Sequence, residues 1–187
     1  MKSECKTALL YNIASIQTGP FGSQLHKKDY VQFGTPIVTV EHLGEKNFSR
    51  QNLPYVSDYD TKRLRKYLLS VGDIVFSRVG SVDRCSYVGD DNQGWLFSGR
   101  CLRVRPNRDS ISPEFLYYFF TLNSTKQLIS SIAVGATMPS NNTALLGEVK
   151  VHFPPLRQQQ AIESVFSCLD KKIQLNRQIN HNLPLAA

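Results

Sequence analysis

The chain has 187 residues, with 22 Lys or Arg against 15 Asp or Glu, so its formal net charge at pH 7 is +7. A basic balance of this size suits a polyanionic partner, and nucleic acid is the first candidate. The hydrophobic fraction of 41% is enough for a core and argues against disorder. No apolar run approaches the roughly 20 residues that a membrane-spanning helix needs, so we expect a cytoplasmic protein with no membrane partner.

The cysteine and histidine positions argue against the common metal sites. No two of the four cysteines form a Cys-x-x-Cys pair, and the four histidines are dispersed. Scattered cysteines without zinc spacing are typical of a reduced cytosolic protein. We therefore predict no metal site, no cofactor and no acid–base catalytic site. The residues are Cys5, Cys85, Cys101, Cys168, His26, His42, His152 and His181.

The first candidate DNA-contacting loop lies near the start of the chain. Residues 8–16 are predicted to form a strand, and glycine and proline mark residues 17–25 as a loop, which basic residues follow. A loop of this kind approaches a phosphate backbone closely, and its hydroxyl and amide groups suit base edges. An ordinary turn between strands explains the loop equally well. The candidates are Ser23, Gln24, His26, Lys27 and Lys28.

A second candidate loop follows a predicted strand in the middle of the chain. The β-branched run 35–40 and the run 74–79 both predict strands, and the second ends in a polar loop between arginines. The planar fork of arginine suits both guanine edges and phosphates. A surface ion pair with Asp73 or Asp83 is at least as good an explanation for either arginine alone. The candidates are Arg78, Ser81 and Arg84.

The next elements are predicted to be a hairpin and a one-sided strand. Residues 87–95 carry the signals of a hairpin with a loop of several residues. In the strand that follows, Leu102 and Val104 share one face because side chains alternate with period two. Arg103 and Arg105 occupy the other face, which we expect to be exposed to solvent.

The third candidate loop lies between a helix and the last predicted strand. Ser112 and Pro113 start the helix as N-cap and first helical residue. Residues 135–143 then form a loop of small and amide residues, and alternation predicts a closing strand over residues 148–153. Paired asparagines suit adenine edges, although they are also ordinary turn formers. The candidates are Thr137, Ser140, Asn141 and Asn142.

A long helix is predicted over residues 156–183, which contain no Gly or Pro. At 1.5 Å per residue it would be about 40 Å long. A heptad repeat places Asn176 in the apolar stripe, where a polar residue fixes register at a cost in stability. Packing on its own domain is the alternative, but we favour pairing with a second long helix and a spacer role. The proposed pairing residues are Ile162, Val165, Phe166, Leu169, Ile173, Asn176, Ile179 and Leu183.

Four stretches together resemble the specificity (S) subunits of type I restriction-modification systems. They are residues 18–25 (TGPFGSQL), 72–80 (GDIVFSRVG), 112–118 (SPEFLYY) and 153–162 (FPPLRQQQAI), the last continuing to LDKKI at 169–173. Each stretch is loose alone, but their order and spacing cover nearly the whole chain. The chain is similar to half of such a subunit: one target recognition domain and one conserved helix.

This resemblance implies an α+β fold and a non-catalytic function. The β-rich recognition domain would span residues 1–153, and the long helix, residues 154–187, would pair as an antiparallel coiled coil. Subunits of this family hold two recognition domains apart with two such helices, read a split double-stranded DNA target, and bind modification (methyltransferase) and restriction subunits. Half a subunit is therefore expected to form a homodimer that prefers a palindromic split site.

Two other functions remain open from the sequence. Glu148 and Lys150 give the E-x-K pattern of a Mg²⁺-dependent nuclease, but the nearest upstream acidic partner, Asp109, is separated from them by a whole predicted helix. The other alternative is a coiled-coil adaptor whose globular part binds protein.

Overall fold

The fold combines three small β-sheets with six helices over the residues that a computed structural model describes, 5–135 and 137–182. The strands are β1 Lys6–Leu9, β2 Ala14–Thr18, β3 Tyr30–Val31, β4 Thr35–Val38, β5 Tyr55–Val56, β6 Ile74–Ser77, β7 Cys85–Tyr87, β8 Leu96–Phe97, β9 Cys101–Pro106 and β10 Lys150–Phe153. The helices are α1 Leu10–Ile13, α2 Asp58–Arg63, α3 Pro113–Thr121, α4 Asn123–Ile132, α5 Thr143–Gly147 and α6 Leu156–Asn182.

The central sheet is antiparallel, in the order β2-β9-β6-β7, and is covered on both faces. Every residue of β6 is buried. Ile74 and Phe76 enter the hydrophobic core that α3 covers, while Val75 points into a second core on the opposite face. The second core includes strands of the sheet β3-β5-β4-β8. Covering on both faces explains why this strand is continuously apolar rather than alternating.

The predicted hairpin over residues 87–95 is wrong. β7 pairs with β6 in the central sheet, whereas β8 pairs in parallel with β4 of the other sheet. The segment between β7 and β8 therefore crosses from one layer to the next. Local turn signals were correct, but the pairing partner of β8 lies far away in the sequence.

The prediction of a solvated arginine face on β9 is also wrong. Arg103 is only 7% exposed, and its guanidinium donates to the backbone carbonyl groups of Lys66 and Leu68 at 3.3 and 3.4 Å. Arg105 is held by both carboxylate oxygens of Asp73 at 2.7 Å each. The second layer covers this face at Arg103, whereas the Arg105 side chain stays 39% exposed and is held by its ion pair.

The first and last strands differ from their predicted bounds. Residues 8–16 divide into the end of β1, the short helix α1 and the start of β2, because Leu10 and Ile13 are both buried at helical spacing. β10 begins at Lys150 and pairs with β1 in a separate two-stranded sheet, instead of closing the central one.

The two main helices form as the sequence predicts. α3 starts with Ser112 at the N-cap and Pro113 at its first position, although the Ser112 hydroxyl donates to Glu163 of α6 instead of capping α3. α6 runs for 27 residues. These elements confirm the α+β class, a β-rich body followed by a long C-terminal helix. None of the helices within the described ranges is long and apolar enough to cross a membrane.

α6 lies along its own domain, which is the alternative to the pairing and spacer role that the sequence favours. Gln159 is buried, accepts from the Ser112 backbone N–H and donates to the Pro154 carbonyl, both at 2.8 Å. Near the other end, Arg177 forms an ion pair with Glu45 at 2.6 Å. These contacts span five helical turns, so the helix is fixed in direction relative to the domain.

Between these ends, a polar cluster joins α6 to α3 and to Lys46. The Lys46 ammonium pairs with Glu114 and with Asp170, the latter at 3.1 Å, and donates to the Tyr118 hydroxyl at 2.7 Å. Tyr118 in turn donates to Asp170 at 2.7 Å, and the Ser167 hydroxyl donates to Glu114 at 2.5 Å. We call Lys46, Glu114, Tyr118, Ser167 and Asp170 the Lys46 cluster.

Candidate nucleic-acid interface

Four loops meet at one edge of the central sheet. β2 and β6 end at this edge and β9 and β7 begin there, because the strands are antiparallel and their register places Thr18 beside Leu102 and Ser77 beside Cys101. Antiparallel pairing therefore brings together loops that are distant in sequence. We name them loop A (residues 19–29), loop B (78–84), loop C (137–142) and loop D (98–100).

Loop C is attached to loop B by backbone hydrogen bonds. The Gly80 N–H donates to the Pro139 carbonyl and the Asn141 N–H donates to the Arg78 carbonyl, both at 2.8 Å. Val79 and Ser140 form an isolated antiparallel bridge. The second and third candidate loops of the sequence thus form one surface.

Loops A and D are in backbone-to-backbone contact. A Cβ on Gly99 would lie 2.5 Å from the Pro20 carbonyl oxygen, and a Cβ on Gly19 would overlap the Ser98 carbonyl. The Gly19 N–H also donates to the Cys101 carbonyl at 3.1 Å. Only glycine fits at these two positions, so Gly19 does more than form a turn: with Gly99 it lets loops A and D approach closely.

Arg78 connects the two pairs of loops. Its backbone N–H donates to the Arg100 carbonyl at 2.8 Å, and its Nη1 donates to the Gly99 carbonyl at 3.4 Å. The guanidinium carbon lies 5.9 Å from the centre of the Phe21 ring. Phe21 is 61% exposed, so its ring is accessible at the surface.

The sequence argument missed Phe21 and Arg100. Arg100 is exposed and follows Gly99 in loop D. The available signal for Phe21 was an aromatic residue between glycines in an otherwise polar loop, where no core position is available to it.

The lysines of loop A are exposed, whereas its glutamine, Gln24, is held by hydrogen bonds. Lys27 and Lys28 are exposed. The Gln24 side-chain oxygen accepts from the Tyr67 hydroxyl at 2.6 Å, and the Gln24 carbonyl accepts from Arg63 at 2.8 Å. His26 is exposed, with its backbone N–H donating to Asp29. The side chain of the remaining candidate, Ser23, lies outside the described part of the molecule.

Arg84 has a structural contact, and Ser81 is free on the surface. The Arg84 guanidinium donates to the Leu43 carbonyl and packs against Gly44, which fastens that loop to the domain. Ser81 is exposed at the tip of loop B. Asp83 and Asp73, proposed as ion-pair partners, do not pair with either arginine; Asp73 binds Arg105.

The candidates of loop C are divided between surface and interior. Thr137 is exposed, and the Ser140 hydroxyl donates to the Val134 carbonyl at 3.1 Å. Asn141 is 2% exposed, and its side-chain oxygen accepts from the Asn142 N–H at 2.9 Å. Asn142 is exposed and caps α5 by accepting from the Leu145 N–H. Asn141 therefore supports the loop from inside.

A groove of about 600 Å³ opens beside Phe21 and Arg100. Lys27 and His42 also line it, together with Tyr30. Burial raises the pKa of the Tyr30 phenol, followed by a smaller contribution from Cys101, so the phenol stays a neutral donor. The groove combines cationic, apolar and hydrogen-bonding groups, the chemistry that contacts with phosphates and base edges use.

The pairing residues of α6 lie largely exposed beside its domain-facing side. The seam comprises the apolar residues of the predicted pairing stripe, whose exposures run from 38% to 60%. Phe166 also packs against Tyr118, with ring centres 4.9 Å apart, and Asn176 is exposed. Leu183 lies outside the described residues. The seam residues are Ile162, Val165, Phe166, Leu169, Ile173 and Ile179.

The E-x-K pattern lies outside loops A to D in the sequence. Glu148 is exposed after α5, and Lys150 is exposed in β10, opposite Leu9. Across residues 5–135 and 137–182, no group of three or more His, Cys, Asp or Glu side chains is arranged to hold a metal ion.

Residues 4–185 match the family model described as type I restriction modification DNA specificity domain. The chain belongs to this family. The resemblance read from the four sequence stretches is thereby confirmed. The match covers both the β-rich body and the long helix.

Curated relatives of this specificity domain are longer proteins. The chain is 30% identical over 158 residues to a putative type I restriction enzyme MjaX specificity subunit of Methanocaldococcus jannaschii. The match covers 82% of this chain and 37% of the relative. The chain is 29% identical over 121 residues to the type I restriction enzyme HindI specificity subunit of Haemophilus influenzae, covering 63% and 26%. The specificity domain thus spans well under half the length of these relatives.

Solved structures share the fold. The S subunit of a type I restriction-modification system from M. genitalium superposes with a TM-score of 0.70 at 15% identity, covering 97% of this chain and 44% of that one. The HsdS subunit from Thermoanaerobacter tengcongensis gives 0.65 at 14% identity, covering 94% and 39%. At these identities the likeness establishes the fold alone.

Proposed function

We propose that this chain reads one half of a bipartite double-stranded DNA target for a type I restriction-modification system. The observation that carries the proposal is the meeting of loops A to D at one sheet edge, where Arg100, Lys27 and Lys28 are exposed. Cations of this kind position a protein on phosphates, while the polar tips and Arg78 suit base edges. The family membership and the charge of +7 support the same function.

We assign no catalysis to the chain. The modification (methyltransferase) and restriction subunits are its proposed protein partners, because the curated relatives are named as specificity subunits of type I restriction enzymes. One related structure comes from a study of complex assembly and conformational transition in the type I system, with a TM-score of 0.67. The body, residues 1–153, would read DNA, and the helix, residues 154–187, would set the distance between two reading domains.

The second proposal is an antiparallel homodimer through α6. At 100° per residue, the domain-facing residues Gln159, Asp170 and Arg177 lie about 100° around the helix axis from Leu169 and Asn176. The helix therefore packs on its own domain with one side. The adjacent side carries the seam and stays available for a second helix. An apolar stripe of this exposure in a basic chain is typical of a protein contact.

The sequence also favours a particular register for this dimer. The heptad repeat places Leu169, Asn176 and Leu183 at position a, and Val165, Lys172 and Ile179 at position d. In an antiparallel pair, positions a of one helix lie level with positions d of the other. When Lys172 lies level with Asn176 of the second copy, Leu169 lies level with Ile179 and Val165 with Leu183. This register matches polar with polar and apolar with apolar residues, which the neighbouring registers do not.

Binding-site selection from random DNA tests the function directly. We expect enrichment of a split palindrome, with the solution mass of a dimer measured on the same preparation. Absence of any enriched sequence at low salt would refute DNA reading and favour the coiled-coil adaptor. Cleavage of plasmid on addition of Mg²⁺ would instead support the Glu148/Lys150 nuclease.

A further inference from the structure

We propose that Arg78 and Phe21 act as a pair that reads a guanine and an adjacent thymine in the major groove. This inference rests on the proposed function and names the chemistry of its reading surface. It concerns one residue that the sequence suggested and one that it did not.

The position of Arg78 is fixed before any ligand binds. Its N–H is bonded to Arg100 of loop D and its carbonyl to Asn141 of loop C, each at 2.8 Å. Buried Asn141 in turn holds loop C in place. The backbone of Arg78 is thus bonded on both sides, at the junction of three loops.

The guanidinium of Arg78 is oriented but not neutralised. One amino group contacts the Gly99 carbonyl at 3.4 Å, and the guanidinium carbon lies over the Phe21 ring, 5.9 Å from its centre. Arg63 and Arg105 are paired with carboxylates. Arg78 has no ion-pair partner among the residues described. Its remaining N–H groups are therefore available for the two acceptors, O6 and N7, that guanine presents in the major groove.

Phe21 supplies an apolar contact next to that donor. Gly22, which follows it, has a φ of 62°, a conformation that glycine adopts readily, and this turn leaves the ring outside the core. Aromatic and other apolar side chains contact the thymine methyl group in the major groove. The adjacent cation and ring thus match a guanine and a thymine on neighbouring base pairs.

A phosphate contact is the competing explanation for Arg78. Lys27 and Lys28 are exposed, and neither has an ion pair or side-chain hydrogen bond in the described structure. Flexible ammonium groups serve phosphates well as point charges, whereas a planar and pre-oriented fork is suited to a two-acceptor edge. We therefore assign Arg78 to a base edge, and Lys27 and Lys28 to phosphates.

Modified DNA tests the proposal atom by atom. Once selection has given the half-site, each guanine is replaced by 7-deazaguanine, which lacks N7, and each thymine by deoxyuridine, which lacks the methyl group. We expect one guanine at which the replacement weakens wild-type binding by about fivefold or more, within the range of a bidentate base contact. An adjacent thymine should show a smaller loss.

Variants then assign these losses to residues. Arg78→Ala should bind 7-deazaguanine DNA as tightly as unmodified DNA, within about twofold. Phe21→Ala should likewise bind deoxyuridine DNA as tightly as unmodified DNA. Lys28→Ala is the matched control: it should weaken binding to all sequences alike and reduce the salt slope by about one.

Three outcomes overturn the inference. The first is that no guanine of the half-site is sensitive in the wild-type protein, a result that needs no variant to fold. The second is that Arg78→Ala weakens all sequences equally with a smaller salt slope, which assigns Arg78 to a phosphate. The third is sensitivity retained in Arg78→Ala. All three leave DNA reading intact, whereas failure of the wild-type chain to select any sequence would refute the proposed function itself.

Discussion

Replacing Lys46 by methionine should weaken the attachment of α6 to the domain. The ammonium group is the one cation of the Lys46 cluster and lies between Glu114 and Asp170. Methionine keeps most of the packing volume and removes the charge. The two carboxylates would then face each other without a cation, with the Tyr118 hydroxyl as their remaining shared partner.

The expected loss follows from the exposure of the three groups. The side chains of Lys46, Glu114 and Asp170 are 19%, 27% and 32% exposed. Breaking a fully buried pair by removing one partner costs about 3–5 kcal/mol, but water reaches these carboxylates and partly replaces the lysine. We therefore expect the free energy of unfolding to fall by about 2–3 kcal/mol, between the buried and exposed limits.

Urea denaturation followed by the fluorescence of the single tryptophan, Trp95, measures this change. Arg177→Met is the matched control, because its ion pair with Glu45 is more than 60% exposed on both sides and worth about 0–1 kcal/mol. If Lys46→Met lost no more stability than Arg177→Met, the inference that the Lys46 cluster stabilises the attachment of α6 would be wrong.

The difference in unfolding free energy between wild type and Lys46→Met should change with pH in a definite direction. Burial alone lowers the pKa of Lys46, but its hydrogen bonds to Glu114, Tyr118 and Asp170 outweigh burial and raise the pKa above the ordinary value. A raised pKa gives stability that is complete below the unfolded-state pKa of about 10.4 and is lost as pH rises beyond it. The gap between wild type and Lys46→Met should therefore be constant from about pH 6 to 9 and shrink above about pH 10.4.

Three further predictions concern the seam, the loop contact and the thiols. Leu169→Glu places a charge in the seam and should convert the proposed dimer to monomer in light scattering, while the far-ultraviolet spectrum stays unchanged. Gly99→Ala forces a Cβ against the Pro20 carbonyl and should lower the free energy of unfolding by about 1–3 kcal/mol in urea and also weaken DNA binding. Burial raises the pKa of the Cys85 and Cys101 thiols to about 12, so neither should react with a thiol reagent at pH 8 until the protein unfolds.

Each of these has an internal control. Lys171→Glu changes the charge of α6 outside the seam and should leave the dimer intact; loss of the dimer in both variants would point to general charge effects. A Cβ on Gly89 meets nothing within 4 Å, so Gly89→Ala should change stability by less than about 0.5 kcal/mol. Cys5 and Cys168 are exposed and should react at once, and reaction of all four thiols in the native protein would contradict the burial.

What the sequence predicted well was local. The helix over α6 and the start of α3 at Ser112 and Pro113 follow from residue preferences within one or two turns. The loops around Lys27 and Ser81 follow from glycine, proline and polar composition. The family resemblance extended these local readings to the whole fold.

What the sequence did not predict depends on contacts between distant segments. The partner of β8 is β4, and nothing near residue 96 indicates it. Arg103 is buried because another layer covers its strand, so alternation alone assigned the wrong environment. Phe21 became a candidate only when the structure placed Arg78 beside it.

The close contact of loops A and D, where Gly19 lies against Ser98 and Gly99 against Pro20, has a consequence for the thermodynamics of target recognition. Loops that are held together at their bases lose little conformational entropy when they dock, so a larger share of each contact is retained as affinity. A small rigid surface can then discriminate between DNA sequences that a flexible surface of the same size would bind with equal affinity. Substitutions at the exposed tips would alter the preferred sequence while the rigid base, and with it this advantage, stays unchanged.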